Sequence, residues 1–328
     1  GATRWANRAG AKGTYELFRA LKGLTVFKAK VLSSPSNQAE WQEAIIKTAT
    51  TKDESMCLRR EYNNYQVQEI AACPHIRTLC DTVRSDKSPE DLSCLVFEWM
   101  DYDLRSIIAP ELRSRPVLPK AMSSAVLSAL AVLKSVHGVH TDVNPNNIYL
   151  SDVDGKFPIA KLGDLGNLME DGSIKQRCQS LPCRAPEVWQ GQSCRHASDI
   201  WSLGSTLTTV LSAIPLFGAS DKIIKGETEA WCIAKIIRLV GPVHHPNKDH
   251  LYKEEFERAE EMAVMDHPRG PEMKLITRVN WREELVNIPD PPVPSDLLDF
   301  IETMLAIDPE RRPTASDLLM HPYIRSSG

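Results

Sequence analysis

A chain of 328 residues, 42% hydrophobic and 25% charged, is long enough for one large domain or two lobes, and its composition excludes fibrous, collagen-like and wholly disordered classes. The net charge of −4 gives no general attraction to nucleic acid, so no direct nucleic-acid partner is expected. The seven Lys or Arg among the first thirty residues, against one Glu, read as solvated surface. The first hundred residues carry short runs rich in Val, Ile, Leu and Phe at Thr25–Leu32, Ala44–Thr48 and Cys94–Trp99, which predict β-strands. One helix interrupts them at about Asp53–Gln68, opened by Thr51 as its cap with Asp53 and Glu54 in the first turn. Beyond Asp101 the period becomes helical. Lys120–His137 sets Met122, Val126, Leu127, Leu130 and Leu133 on one face, and Ser198–Ala213 and Pro294–Ile307 have similar periodicity. The pattern predicts an α+β chain of two lobes: a small β-rich lobe with one helix over about 15–98, a join at 99–103, and a large helical lobe over 104–325.

The eight cysteines contain no CxxC pair and read as reduced, packed thiols, with an intracellular setting, cytoplasm or nucleus, expected from them. The most apolar stretches, around Val126–Val136 and Leu203–Phe217, are broken by Ser, Thr, Lys and Pro. They suit buried helices better than membrane spans of about 20 residues, so no membrane partner is expected. No signal-like apolar core follows Gly1, and the chain is read as soluble and as a candidate segment of a longer protein.

Between the long helix and a short β pair runs His140-Thr141-Asp142-Val143-Asn144-Pro145-Asn146-Asn147, and seventeen residues after Asn147 comes Asp164-Leu165-Gly166. Phosphoryl transfer asks little covalent chemistry of a protein: a carboxylate to orient the attacking hydroxyl, oxygen ligands for Mg2+, and a cation on the phosphates. Asp142, the pair Asn147 and Asp164, and an upstream lysine supply that set, and oxygen donors are what hard Mg2+ prefers. Singly, each piece is ordinary, since an isolated Asp in a turn is far more often a cap. Their order carries the reading.

That order resembles the eukaryotic protein kinases, whose catalytic loop reads HRDxKPxN and whose metal loop reads DFG, where this chain has HTDVNPNN and DLG. Arg184-Ala185-Pro186-Glu187 is similar to the family's APE segment, Asp199-Ile200-Trp201-Ser202-Leu203-Gly204 to its DxWxxG helix, and Asp308-Pro309-Glu310-Arg311-Arg312-Pro313 to its DPxxRP motif. The resemblance covers roughly residues 15–325. It implies a bilobal kinase fold, ATP and Mg2+ as cofactors, a cleft for them between the lobes, a protein substrate, and a monomer. It makes Asp142 the catalytic carboxylate, Asn147 and Asp164 the metal ligands, Lys47 of AIIKT the phosphate-binding lysine and Glu61 its helix-borne partner. Lys28 and Lys30 compete with Lys47, but VFKA at 26–29 looks like the preceding strand. Val26 then covers the nucleotide, Phe97 is the gatekeeper, and Glu98 to Met100 offer backbone groups to adenine. Glu187 and Arg312 are implied as an architectural ion pair.

Two departures bear on activity. Aligning Val26 with the family's valine puts Arg19, Leu21 and Leu24 at the three glycine positions of the phosphate-covering loop, with Gly23 nearby. Asn144 replaces the catalytic-loop lysine and removes a positive charge whose kind can contribute roughly 10²–10³ in rate. An active serine/threonine kinase is the leading reading, and a pseudokinase acting as a nucleotide-binding scaffold is the alternative.

Arg184 and the long stretch 205–295 are similar to the CMGC group, and within it HTD and Gly163-Asp164-Leu165-Gly166-Asn167 most resemble SR-protein kinases. Thr141 cannot clamp a phosphate as arginine does, so no switch by phosphorylation of the segment 164–187 is expected. Ser180 falls where serine/threonine kinases place a hydroxyl that touches the catalytic loop, and Ser180 and Arg184 are the candidate substrate-side residues. Glu254, Glu255, Glu257, Glu260 and Glu261 read either as a solvated helix face or as a docking surface for an Arg/Ser-rich substrate. His244, His245 and His250 lack the spacing of a zinc site.

Overall fold

The computed structural model describes residues 7–33, 42–84, 92–173, 176–212, 214–245 and 251–326. They fall into two compact units, one of residues 1–101 with 163–168, the other of 102–162 with 169–328.

The first unit is built on strands β1 (Asn7–Ala9), β2 (Thr14–Lys22), β3 (Val26–Ser33), β4 (Glu43–Thr48), β5 (Leu79–Arg84) and β6 (Leu92–Glu98), in the antiparallel order β1-β2-β3-β4-β6-β5. Alternation sets its faces: in β2, Tyr15 and Leu17 are buried while Glu16 and Phe18 are exposed. The register then lays Leu17 beside Ala29, Ala29 beside Ala44, Phe27 beside Ile46 and Ile46 beside Val96. These residues, with Val83 and Cys94, form one apolar cluster, each large side chain contributing about 1.5–3 kcal/mol by leaving water. Gly23 turns the chain from β2 into β3 at φ +52°, a left-handed conformation that glycine adopts without strain.

Helix α1 (Lys52–Asn64) starts at Thr51, whose hydroxyl accepts from Glu54 N–H while the Glu54 carboxylate accepts from Thr51 N–H. It stops at Asn64, four residues short of the predicted end, because Tyr65 caps it and a separate turn of helix, α2 (Gln68–Ala71), follows. Strands β1, β2 and β5 were not predicted. Residues 163–168 belong to this unit: Asn64 Nδ2 donates to Leu165 O (2.8 Å) and Arg60 Nη1 to Gly166 O (3.3 Å).

The second unit opens with β7 (Tyr102–Asp103), α3 (Ala109–Ser114), α4 (Val117–Ser135), β8 (Gly138–Val139), β9 (Ile148–Ser151), β10 (Ile159–Leu162) and β11 (Met169–Glu170). It continues with α5 (Pro186–Trp189), α6 (His196–Leu211), α7 (Thr228–Leu239), α8 (Lys253–Val264), the hairpin β12 (Asp266–His267) and β13 (Gly270–Lys274), α9 (Trp281–Val286), α10 (Ser295–Met304), α11 (Ala315–Leu318) and α12 (Pro322–Arg325). Helix α6 is the axis, buried on all sides from Ser198 to Thr208. Its hydroxyls survive burial because they are bonded: Ser202 Oγ donates to Cys183 O (2.7 Å) and Ser205 Oγ to Pro182 O (2.5 Å). A Cβ at Gly204 would stand 3.0 Å from Met304 and Leu305, so glycine lets α10 close on this helix. By length and composition α4 is apolar enough to cross a membrane, unlike the short, broken stretch read from the sequence; 56% of its most apolar 18 residues are buried inside the protein. The architecture is the bilobal α+β arrangement expected.

Candidate active site

In the first unit Lys47 sits on β4 opposite Val26 of β3 and Leu95 of β6. Its ammonium lies 3.0 Å from Glu61 Oε1, 3.1 Å from Glu61 Oε2 and 3.0 Å from Asp164 Oδ1. Glu61 is buried on α1, and its other charge-assisted bond comes from Leu165 N–H (3.2 Å). Burial pushes its carboxyl above the usual range, against the pull of Lys47. Asp164 takes φ +62°, a conformation costing a non-glycine residue roughly 1–3 kcal/mol and kept where surroundings over-determine it. The sequence thus brings two carboxylates, one from a helix and one from a distant loop, to the ammonium of one strand lysine.

Phe97 is buried, stacks edge-on against Tyr65 at 5.6 Å, and lies 5.2 Å from the Lys47 ammonium. Met100 is buried. Glu98 uses its carboxylate on Thr78 N–H (2.6 Å), and its backbone carbonyl accepts from Arg77 Nε (3.1 Å) and Nη2 (2.8 Å). That carbonyl, expected to face adenine, already meets a buried guanidinium. Of the three glycine-loop positions, Arg19 and Leu21 are in β2 and Leu24 in the turn, all exposed.

In the second unit the catalytic-loop residues organise around Asp142. Asn144 Nδ2 donates to Asp142 Oδ1 (2.7 Å) and to its backbone carbonyl (3.0 Å), and Asn147 Nδ2 donates to Oδ2 (3.0 Å) and to the same carbonyl (2.8 Å). Both carboxylate oxygens are therefore fixed by neutral amides. Beneath the loop, buried Asp199 accepts from His140 N–H (2.7 Å) and Thr141 N–H (3.0 Å), and Thr141 is itself left-handed at φ +65°. Burial raises the Asp199 carboxyl to about 7 despite those donors. The sequence carried Asp199 only as a letter in a motif; its reach of 58 and 59 residues back to the loop has no local signal.

Ser180 Oγ is buried beside the Cys183 thiol. Arg184 donates to Cys178 O (2.7 Å) and Gln179 O (3.0 Å) and stacks 4.3 Å from the Trp189 ring. Glu187 and Arg312 form a buried two-pronged pair at 2.7 Å on each arm. On α8, Glu255 pairs with Arg177, Glu257 with Lys253, Glu260 with His244 and Glu261 with Arg258, so four of the five acidic residues already face a positive or titratable group. His250 lies outside the described residues, and the eight cysteines are free thiols.

The protein kinase domain family matches residues 29–324. Among curated proteins the chain is 25% identical to "Probable serine/threonine-protein kinase glkA" of Dictyostelium discoideum, over 80% of this chain and 50% of that protein. It is 27% identical to "Dual specificity protein kinase YAK1 homolog" of Arabidopsis thaliana, over 70% of this chain and 28% of that one. It is 29% identical to "Cyclin-dependent kinase 12" of Caenorhabditis elegans, over 77% and 33% respectively. The chain spans half or less of the length of these three relatives. With a match over nearly its whole length, a β-rich first unit, a helical second one and the motif residues assembled as described, the chain belongs to the protein kinase domain family.

Proposed function

We propose that this chain is a serine/threonine protein kinase, moving the γ-phosphoryl group of ATP to a hydroxyl of another protein. The observation that carries the reading is the Lys47 ammonium held 3.0 Å from both Glu61 and Asp164: a buried helix carboxylate aims the lysine, and the second carboxylate stands ready for a metal. Mg2+ suits the donors present. Asp164 offers a carboxylate in the first unit, and Asn147 in the second offers Oδ1, since its amide nitrogen is the atom bonded to Asp142. When bound, Mg2+ and ATP would supply charge neutralisation and the phosphoryl group.

The chain's own part is placement. Lys47 would bind the nucleotide's phosphates, and Asp142 would orient the acceptor hydroxyl. As its oxygen bonds to phosphorus and the bond to the ADP oxygen breaks, Asp142 takes the proton. Its two amide partners keep the carboxylate from turning away. The resemblance to SR-protein kinases supports an Arg/Ser-rich substrate, while the ion pairs already made by the α8 carboxylates weaken the acidic docking face that would favour one.

A second reading, a nucleotide-binding scaffold without transfer, is favoured by the exposed Arg19, Leu21 and Leu24, by Arg77 on the Glu98 carbonyl, and by the uncharged Asn144. One experiment separates them: labelled-phosphate incorporation into protein or peptide with Mg-ATP, beside a melting curve in the same buffer. We expect transfer that falls at least about a hundredfold in Asp142→Ala and a melting temperature raised by millimolar Mg-ATP. A shift without transfer favours the scaffold; neither response overturns both readings.

A further inference from the structure

The catalytic-loop carboxylate begins a file of hydrogen-bonded side chains that ends at the surface on a guanidinium. Asn144 Nδ2 donates to Asp142 Oδ1 (2.7 Å), Asn146 Nδ2 donates to Asn144 Oδ1 (3.0 Å), and Arg105 Nη1 donates to Asn146 Oδ1 (3.4 Å). The backbone fixes both ends of the last step. Arg105 N–H donates to Pro145 O (3.2 Å), and Asp103 caps the turn that bears Arg105 by accepting from Ser106 N–H (2.8 Å).

A guanidinium carries five N–H donors. Among the described residues its side chain bonds a neutral amide, and the rest of the guanidinium is exposed. Asn144, by contrast, has both amide hydrogens on Asp142 and keeps none for a passing anion. The positive charge absent from the middle of this loop is therefore present at its rim, on an exposed fork of donors bonded to a neutral amide.

We propose that Arg105 reads an anionic side chain of the protein substrate, an Asp, a Glu or an already phosphorylated residue; this rests on the phosphotransferase reading and names its substrate class. Three hydrogen bonds and two amide groups separate Arg105 from the Asp142 carboxylate by roughly 10 Å. An extended peptide advances about 3.3–3.6 Å per residue, so the anionic residue stands about two to four positions from the acceptor hydroxyl. Carboxylate and phosphate both match the guanidinium fork. An arginine at the same position meets like charge and is disfavoured there.

The test does not need catalysis. Anisotropy of fluorescein-labelled peptides reads binding of one serine-centred core carrying Asp, phosphoserine, Ala or Arg three positions from the serine, to the parent chain, Arg105→Ala and Arg105→Glu. Arg105 is exposed, and the melting curves of both variants are expected to match the parent. The expected result is about three- to fivefold tighter binding of the Asp peptide than the Ala peptide, more for phosphoserine, both advantages fading with salt. Arg105→Ala should erase the preference and Arg105→Glu should turn it toward the Arg peptide. Equal binding of Asp and Ala peptides by the parent, or a preference that survives Arg105→Glu, overturns the assignment. Labelled-phosphate transfer to the same peptides is the second arm: its absence with every peptide defeats the kinase reading alone, because the binding arm still decides Arg105.

Discussion

Asp199 is where a single residue ties pH to stability. Its carboxyl, buried and held at about 7 in the folded chain, returns to about 3.9 when unfolded, so between those values the folded state binds the extra proton. Its stability contribution is thus fully present below the unfolded value and is lost as pH rises through about 7. The loss approaches on the order of 1.4 kcal/mol per pH unit inside that window. Asp199→Asn has no such proton to lose. We expect the gap in urea-unfolding free energy, parent minus variant, to be larger at pH 5 than at pH 8; a gap independent of pH would show that the backbone donors of His140 and Thr141 keep Asp199 ionised throughout. Residues of this kind divide by how far they reach. Lys47, Glu61, Asp142, Asn147 and Asp164 were legible because each sits inside a short ordered motif. Arg77 on the Glu98 carbonyl and Arg105 on Asn146 were not, since the pairing is made 21 and 41 residues along the chain and one arginine in a polar stretch looks like any other.

Among the elements, α1 shows how a local signal serves a distant group. Thr51 and Glu54 close its first turn reciprocally, and Thr50 adds its N–H and hydroxyl to Glu54 (2.7 Å each). Thr51→Ala removes the acceptor for Glu54 N–H and should cost about 1 kcal/mol in urea unfolding at pH 7. The Glu54 carboxyl lies below its ordinary range, chiefly through Thr50, so its share of the cap is present at neutral pH and lost as pH falls through that lowered value. The deficit of Glu54→Ala should accordingly shrink in acid, while that of Thr51→Ala should not; a Glu54→Ala deficit unchanged at pH 3 would show that the carboxylate's bonds to Thr50 and Thr51 N–H do not act on stability. This helix start was read from the sequence, as were β3, β4 and β6, whose Val, Ile and Phe are dense. Strands β2 and β5 were missed for physical reasons: β2 buries two residues in nine and leaves Phe18 and Leu21 outside, and β5 buries Asp81, which Tyr15 OH (3.0 Å), Lys12 N–H (2.8 Å) and Thr82 N–H (2.7 Å) satisfy. Neither sustains an alternation of apolar and polar residues along its length.

At the scale of the molecule, motif order sufficed to identify the family, while the connections that make the motifs one object had to be seen. The longest of them is Glu187 with Arg312, 125 residues apart and both buried. Every donor of the guanidinium is used: Nη1 and Nη2 on Glu187 at 2.7 Å, Nη1 also on Ala197 O (2.9 Å), Nη2 on Ile307 O (3.1 Å) and Nε on Ala306 O (2.8 Å). Ser198 Oγ adds a further donor to the carboxylate at 2.7 Å. Such a pair contributes little net stability against an apolar pair of equal volume, but breaking it strands a charge without water. Arg312→Met should therefore cost about 3–5 kcal/mol in urea unfolding, and the double variant Glu187→Leu with Arg312→Met distinctly less than the two single losses added, a coupling of roughly 2 kcal/mol or more. Because the pair is shielded, the Arg312→Met loss should hardly change between low salt and about 0.5 M, where the exposed Lys253–Glu257 pair (3.5 Å) is screened. A loss below about 1 kcal/mol, or one that fades with salt, would mean that water reaches Glu187 once the arginine is gone, and that the segment from Arg184 to Glu187 is held by Arg184, Ser198 and its own packing instead of by Arg312.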